Sequence, residues 1–96
     1  MNKTISNTDI VSQIEGLIVS DMDGEKVMLS IENGKYYNLG ETGGVIWDCM
    51  KKPISIQDLI QSLVKEYDVG EHECREQVLR FIDRLAEEGL VKIEFA

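Results

Sequence analysis

Apolar positions follow two rhythms along this 96-residue chain. Leu17-Ile18-Val19, then Val27 to Ile31, then Tyr36 to Leu39 are short β-rich runs, separated by Asp23-Gly24 and Asn33-Gly34. Asp-Gly and Asn-Gly tolerate the positive φ of tight hairpin turns, so the pattern predicts a three-stranded antiparallel meander. A two-residue turn at Asn33-Gly34 would set Ile31 opposite Tyr36, Ser30 opposite Tyr37 and Met28 opposite Leu39. Met28, Tyr37 and Leu39 then share one face, and Leu29, Ile31 and Tyr36 the other. Both faces carry apolar groups, so each needs a cover or a partner.

After Leu39 the period becomes helical. Thr42 is the expected N-cap of a first helix through Val45, Ile46, Trp47 and Met50, which Lys51-Lys52-Pro53 bring to an end. Gly43 and Gly44 each weaken that helix by roughly 1 kcal/mol, a cost explained by a close backbone approach to the sheet. A second helix opens with Ser55 as N-cap and Ile54 and Leu59 as a hydrophobic staple; its apolar stripe is Ile56, Leu59, Ile60, Leu63, Val64 and Tyr67. A third begins near Glu71 with the stripe Cys74, Val78, Phe81, Ile82 and Leu85. Leu79 lies off that stripe, beside Arg75 and Ala86. Gly89 and Leu90 fit a helix C-terminus, and Val91, Ile93 and Phe95 alternate with charges as a short strand or wing. Trp47, Phe81 and Phe95 are the bulkiest expected core members. The fold class expected is α+β, a three-stranded antiparallel sheet followed by three helices, resembling a winged helix-turn-helix. Residues 1–12 are polar and aperiodic and read as a flexible arm, which leaves residues 13–96 as one small domain.

Charge narrows the function. Ten Lys and Arg oppose eighteen Asp and Glu, a net charge of −8. Nucleic-acid binding draws on counterion release at a basic surface, and anionic membranes attract the same kind of surface. Both partners are therefore disfavoured. The third helix would have to read DNA with an outer face of Glu71, Glu73, Glu76, Arg80, Asp83, Arg84, Glu87 and Glu88. A winged-helix DNA-binding regulator stays as the rival function on scaffold grounds alone. No apolar run approaches the roughly 20 residues of a membrane span, and the polar start lacks the apolar centre of a secretory signal, so a cytoplasmic chain is expected.

Catalytic chemistry finds little support. The single histidine, His72, sits between Glu71 and Glu73 at a helix start, and Cys74 two positions on points elsewhere. Two cysteines, Cys49 and Cys74, and one histidine do not make a four-ligand zinc site, so both thiols read as reduced core groups. Neither enzyme activity, nor a metal, nor a cofactor is expected.

The stretch GKYYNLGETGGVIWDCM joins an aromatic strand, Leu, a polar pair, Thr-Gly and Ile-Trp. With the stapled helix from Ser55 to Tyr67 and the third helix ending in Gly89-Leu90-Val91, it resembles the PqqD-like peptide chaperones, also called RiPP recognition elements. The likeness runs from about Ile14 to Ile93. Within the family it is most similar to the free-standing leader-binding proteins of lasso-peptide biosynthesis. The resemblance implies a precursor leader peptide that adds as a strand to the third strand and packs against the third helix. On this chain that assigns the peptide to Lys35, Tyr36, Tyr37, Asn38 and Leu39, with Arg75, Val78, Leu79 and Ile82 as the helical wall. It also implies a second partner, a separate cysteine protease resembling a transglutaminase. A chaperone partner of a radical-SAM peptide-modifying enzyme is a further alternative. The Asp that often precedes the paired apolar residues of the third helix is Gln77 here. A monomer is expected, with a dimer through the open strand edge as the other option.

Overall fold

The computed structural model describes residues 5–95. Two three-stranded antiparallel sheets and three helices share one core. The central sheet joins β2 (Leu17–Met22), β3 (Glu25–Ser30) and β4 (Lys35–Leu39) in sequence order. The other has β1 (Ile10–Gln13) between β5 (Ile54–Ser55) and β6 (Val91–Glu94). The helices are α1 (Gly40–Cys49), α2 (Ile56–Tyr67) and α3 (Glu71–Glu87). Met28, Trp47, Met50, Leu59, Val78 and Ile82 lie in the core, each at most 2% exposed. Phe95, expected there, is 41% exposed.

The turns explain the register. Asp23 (φ 54°) and Gly24 (φ 83°) both occupy the left-handed region, as a two-residue hairpin with the twist of its strands requires. At the second turn only Gly34 does, with φ 66°. The Ser30 carbonyl accepts the Gly34 amide at 2.8 Å and its hydroxyl accepts the Asn33 amide at 3.0 Å. Residues 31–34 therefore form the loop, and Ser30 pairs with Lys35 and Met28 with Tyr37. The expected register is corrected by two residues. A shift of two preserves the faces, so Met28 and Tyr37 still point inward, while Leu29 and Tyr36 point outward. Ile31 leaves the strand and is 70% exposed.

The expected arm over residues 1–12 is corrected where it is described; residues 1–4 lie outside the described part. Ile10 to Ser12 belong to β1, which pairs along its length with β6. The carbonyls of Asn7 and Asp9 accept the amides of Gln57 and Ile56 at 3.0 Å each, satisfying free donors at the start of α2. Val11 is fully buried.

Helix α1 starts before the expected cap. Leu39 is its N-cap and makes no side-chain cap bond, while Asn38 Oδ1 accepts the Gly40 amide at 2.8 Å. Thr42 lies inside the helix. The paired glycines have the role their spacing suggests. A Cβ on Gly44 would sit 2.9 Å from Lys26 Cβ in β3, and one on Gly43 would sit 2.9 Å from the Phe81 ring in α3. Helix α2 is capped as expected, Ser55 Oγ accepting the Asp58 amide at 3.1 Å. At the end of α3 the Leu90 amide reaches the Leu85 carbonyl (2.9 Å) and Gly89, at φ 74°, reaches Ala86 (3.1 Å), a Schellman closure.

Candidate functional site

Strand β4 is an edge. Its ladder partner is β3, and its other side faces α3 across a groove of about 410 Å³. All five residues expected on the strand, Lys35, Tyr36, Tyr37, Asn38 and Leu39, line this groove. The opposite wall is Phe81, Arg84, Leu85 and Glu88, with Leu90 beyond the helix end.

The helical wall is therefore not the expected one. At about 100° per residue, Phe81, Arg84, Leu85 and Glu88 form one side of α3, and Arg75 and Leu79 fall on the other. Arg75 instead donates to Asn7 Oδ1 and lies 4.0 Å from Glu71. Leu79 packs half-buried on the core, while Val78 and Ile82 are 1% and 0% exposed. These four residues hold α3 in place and do not line the groove with β4. Both flanks of the apolar stripe are visible in the sequence. Leu79 makes one flank look the more adhesive, and the groove beside β4 opens on the other.

Polar contacts tie the groove at one end. Tyr37 donates its hydroxyl proton to Glu88 Oε1 at 2.9 Å, and Lys35 Nζ lies 3.4 Å from the same oxygen. Asn33 Nδ2 donates to the Glu88 carbonyl (2.9 Å) and to the Tyr37 hydroxyl (3.2 Å). The Tyr37 bond and the Lys35 charge hold the Glu88 carboxyl below the ordinary carboxylate range. Asn33, expected as a positive-φ turn residue, acts here through its side chain. Arg84, exposed on the same wall, also lowers the Glu88 pKa. The groove thus offers strand backbone, an aromatic floor at Phe81 and one guanidinium.

Behind this wall the sheet is braced to α1. Lys26 Nζ bonds Asp48 at 2.7 Å and Asp21 at 3.3 Å, and the Asp48 bond raises its pKa. Burial raises both thiols, Cys49 and Cys74, so neither is primed as a nucleophile. Among the described residues no group of three or more His, Cys, Asp or Glu is placed to hold a metal, and no helix is long and apolar enough to cross a membrane.

An edge strand facing a helix across a groove of mixed polarity leaves room for strand addition by an extended segment. The family model for coenzyme PQQ synthesis protein D (PqqD) matches residues 25–91, and the chain belongs to that family. No curated protein sequence matches it. Three solved structures share the fold. TbiB1 in complex with the TbiA(beta) leader peptide is 21% identical, with a TM-score of 0.76 over 84% of this chain and 94% of that one. Lasso peptide synthetase B1 complexed with the leader peptide is 23% identical, with a TM-score of 0.74 over 85% and 96%. The PqqD truncation of Methylobacterium extorquens PqqCD, described as a stand-alone RiPP recognition element, is 16% identical, with a TM-score of 0.77 over 92% and 94%.

Proposed function

We propose that this chain binds the leader segment of a ribosomally made precursor peptide of the lasso type, and delivers it to a separate transglutaminase-like cysteine protease. The open β4 edge, set against Phe81, Arg84 and Leu85 across one groove, carries the reading. The leader adds as a strand to Lys35–Leu39, its backbone completing the ladder. Side chains at alternate positions turn toward α3, where Phe81 and Leu85 receive apolar anchors and Arg84 an acid or carbonyl. The likeness to two proteins solved with leader peptides supports it. The recognition domain of this proposal begins with β1 and uses α2, α3 and β6 as a winged-helix-like scaffold. It acts as a cytoplasmic monomer without cofactor or catalytic group.

Fluorescence anisotropy with labelled leaders from precursors encoded beside this gene tests the binding step. Saturable binding that Phe81→Ala weakens is expected, and failure of every such leader to bind would refute the reading. Delivery is tested separately, by whether the protease co-purifies with this chain and cleaves the precursor faster in its presence.

A further inference from the structure

A second cleft, of about 270 Å³, opens on the same side of α3 as the peptide groove. Its walls are apolar, with Val45 and Ile46 from α1, Leu63 from α2, and Val78 from α3. Tyr67 and Val69 at its mouth are 48% and 43% exposed. Its charged lining residues are Glu41 and Glu73, and no Lys or Arg lines it. Such a lining suits an apolar side chain that travels with a cation.

The cleft and the groove are consecutive along one helix face. Glu73, Gln77, Phe81, Arg84 and Glu88 recur at intervals of four, four, three and four residues, a single stripe of α3. Glu73 and Gln77 line the cleft, and Phe81, Arg84 and Glu88 line the groove. The boundary lies where a Cβ on Gly43 would come within 3.3 Å of both the Phe81 ring and Leu39 Cβ, at the Leu39 end of β4. The helix advances about 6 Å from Phe81 to Gln77, which an extended chain covers in about two residues.

We infer that the cleft is a second anchor for the same peptide, taking an apolar side chain two residues before the β4-paired segment, with a Lys or Arg just ahead of it facing Glu41 and Glu73. This rests on the leader-binding reading above. The polarity follows from the sheet. Every pairing in it is antiparallel, the more stable mode per residue, so an added strand enters at Leu39 and leaves at Lys35. Residues preceding that strand therefore extend past Leu39 toward the cleft.

Synthetic peptides separate this inference from the reading it rests on. The bare β4-pairing segment of a bound leader is compared with the same segment preceded by Lys-Leu-Ser, by Lys-Ser-Ser or by Glu-Leu-Ser, and with Lys-Leu-Ser placed after it. Lys-Leu-Ser in front should tighten binding about tenfold, the effect of burying one aliphatic side chain. Lys-Ser-Ser and Glu-Leu-Ser should gain less. In Glu73→Lys protein the ratio of affinities for the Lys-Leu-Ser and bare peptides should fall toward one, and Glu-Leu-Ser should overtake Lys-Leu-Ser. Amide shifts of Val45, Val69 and Gln77 should move with the extended peptide only. If the bare segment binds and no leading extension tightens it, or if only the trailing one does, the second anchor is refuted. If the bare segment itself does not bind, the leader-binding reading fails first.

Discussion

Strands β2 and β4 are the two edges of one sheet, yet they present unlike surfaces. Strand β2 exposes Ile18 (50%), Val19 (40%) and Met22 (56%) on the side of the sheet away from β4. Strand β4 shares a groove with α3, is tied to it through Glu88, and leads into α1 at Leu39. Both edges carry unpaired backbone groups, the common requirement for strand addition. Only the β4 edge adds a helical wall that can receive alternate side chains. On the proposed function, selectivity resides in the wall and general stickiness in the edge, and substitutions on either side can separate the two.

The largest effect is expected at the wall. Phe81→Ala removes the aromatic floor beside β4 and should weaken leader binding about 30-fold, roughly 2 kcal/mol at a central aromatic anchor. Val19→Thr on the β2 edge should change it less than twofold. Anisotropy titrations of both variants, with circular dichroism melts as a check on folding, decide the matter. Equal losses at the two edges would show that binding needs no helical wall.

A middling effect is expected where α1 meets that wall. A methyl on Gly43 would press on the Phe81 ring, whose far edge can give by a few tenths of an ångström. Gly43→Ala gains up to about 1 kcal/mol of helix propensity and loses a similar amount to crowding. Its melting temperature should stay near that of the parent, while leader affinity falls about threefold as the ring shifts. Unchanged affinity would mean that the ring position does not govern the groove.

How far sequence carries depends on how local each signal is. Asp23-Gly24, the Ser55 cap and the Gly89-Leu90 closure are legible because neighbours within five residues determine them. The meander and the faces of β3 and β4 follow from alternation, although Ser30 lengthens the second loop by capturing two amides. Strand β1 is not legible, because four residues in a polar stretch pair with a strand some eighty positions away. The strand half of the groove is legible for the same local reasons, and the helix half is not. Which flank of α3 meets β4 depends on the packing of Gly43 against Phe81 and on the Asn33 and Tyr37 contacts with Glu88, none of which leaves a periodic trace.

Acid should loosen the tied end of the β4 groove. Tyr37, Lys35 and Arg84 all act on the Glu88 carboxyl to hold its pKa below the ordinary value in the folded protein. A depressed carboxylate stabilises the fold fully above its unfolded pKa, and the contribution fades as pH falls through the lower folded value. The stability difference between the parent and Glu88→Gln should therefore be constant from neutral pH down to the ordinary carboxylate range. Below it, the difference should shrink toward zero. Urea melts at descending pH measure this, and a difference that grows on acidification would contradict the Tyr37–Glu88 link as its source.

The smallest effect is expected on the far flank of α3, and it is the most discriminating. Leu79 packs half-buried on the core and Arg75 bonds Asn7, respectively nearly half and about a third of a turn around the helix from Phe81. Arg75→Ala loses a partly exposed polar contact, costing about 1 kcal/mol, and Leu79→Gln a similar amount of apolar packing. Neither touches the groove, so leader affinity should stay within twofold of the parent at temperatures where both variants are folded. A loss of tenfold or more at Leu79 with the melt unchanged would move the peptide to the opposite side of α3. It would then meet the N-terminal segment instead of β4, and the open strand edge would no longer explain recognition.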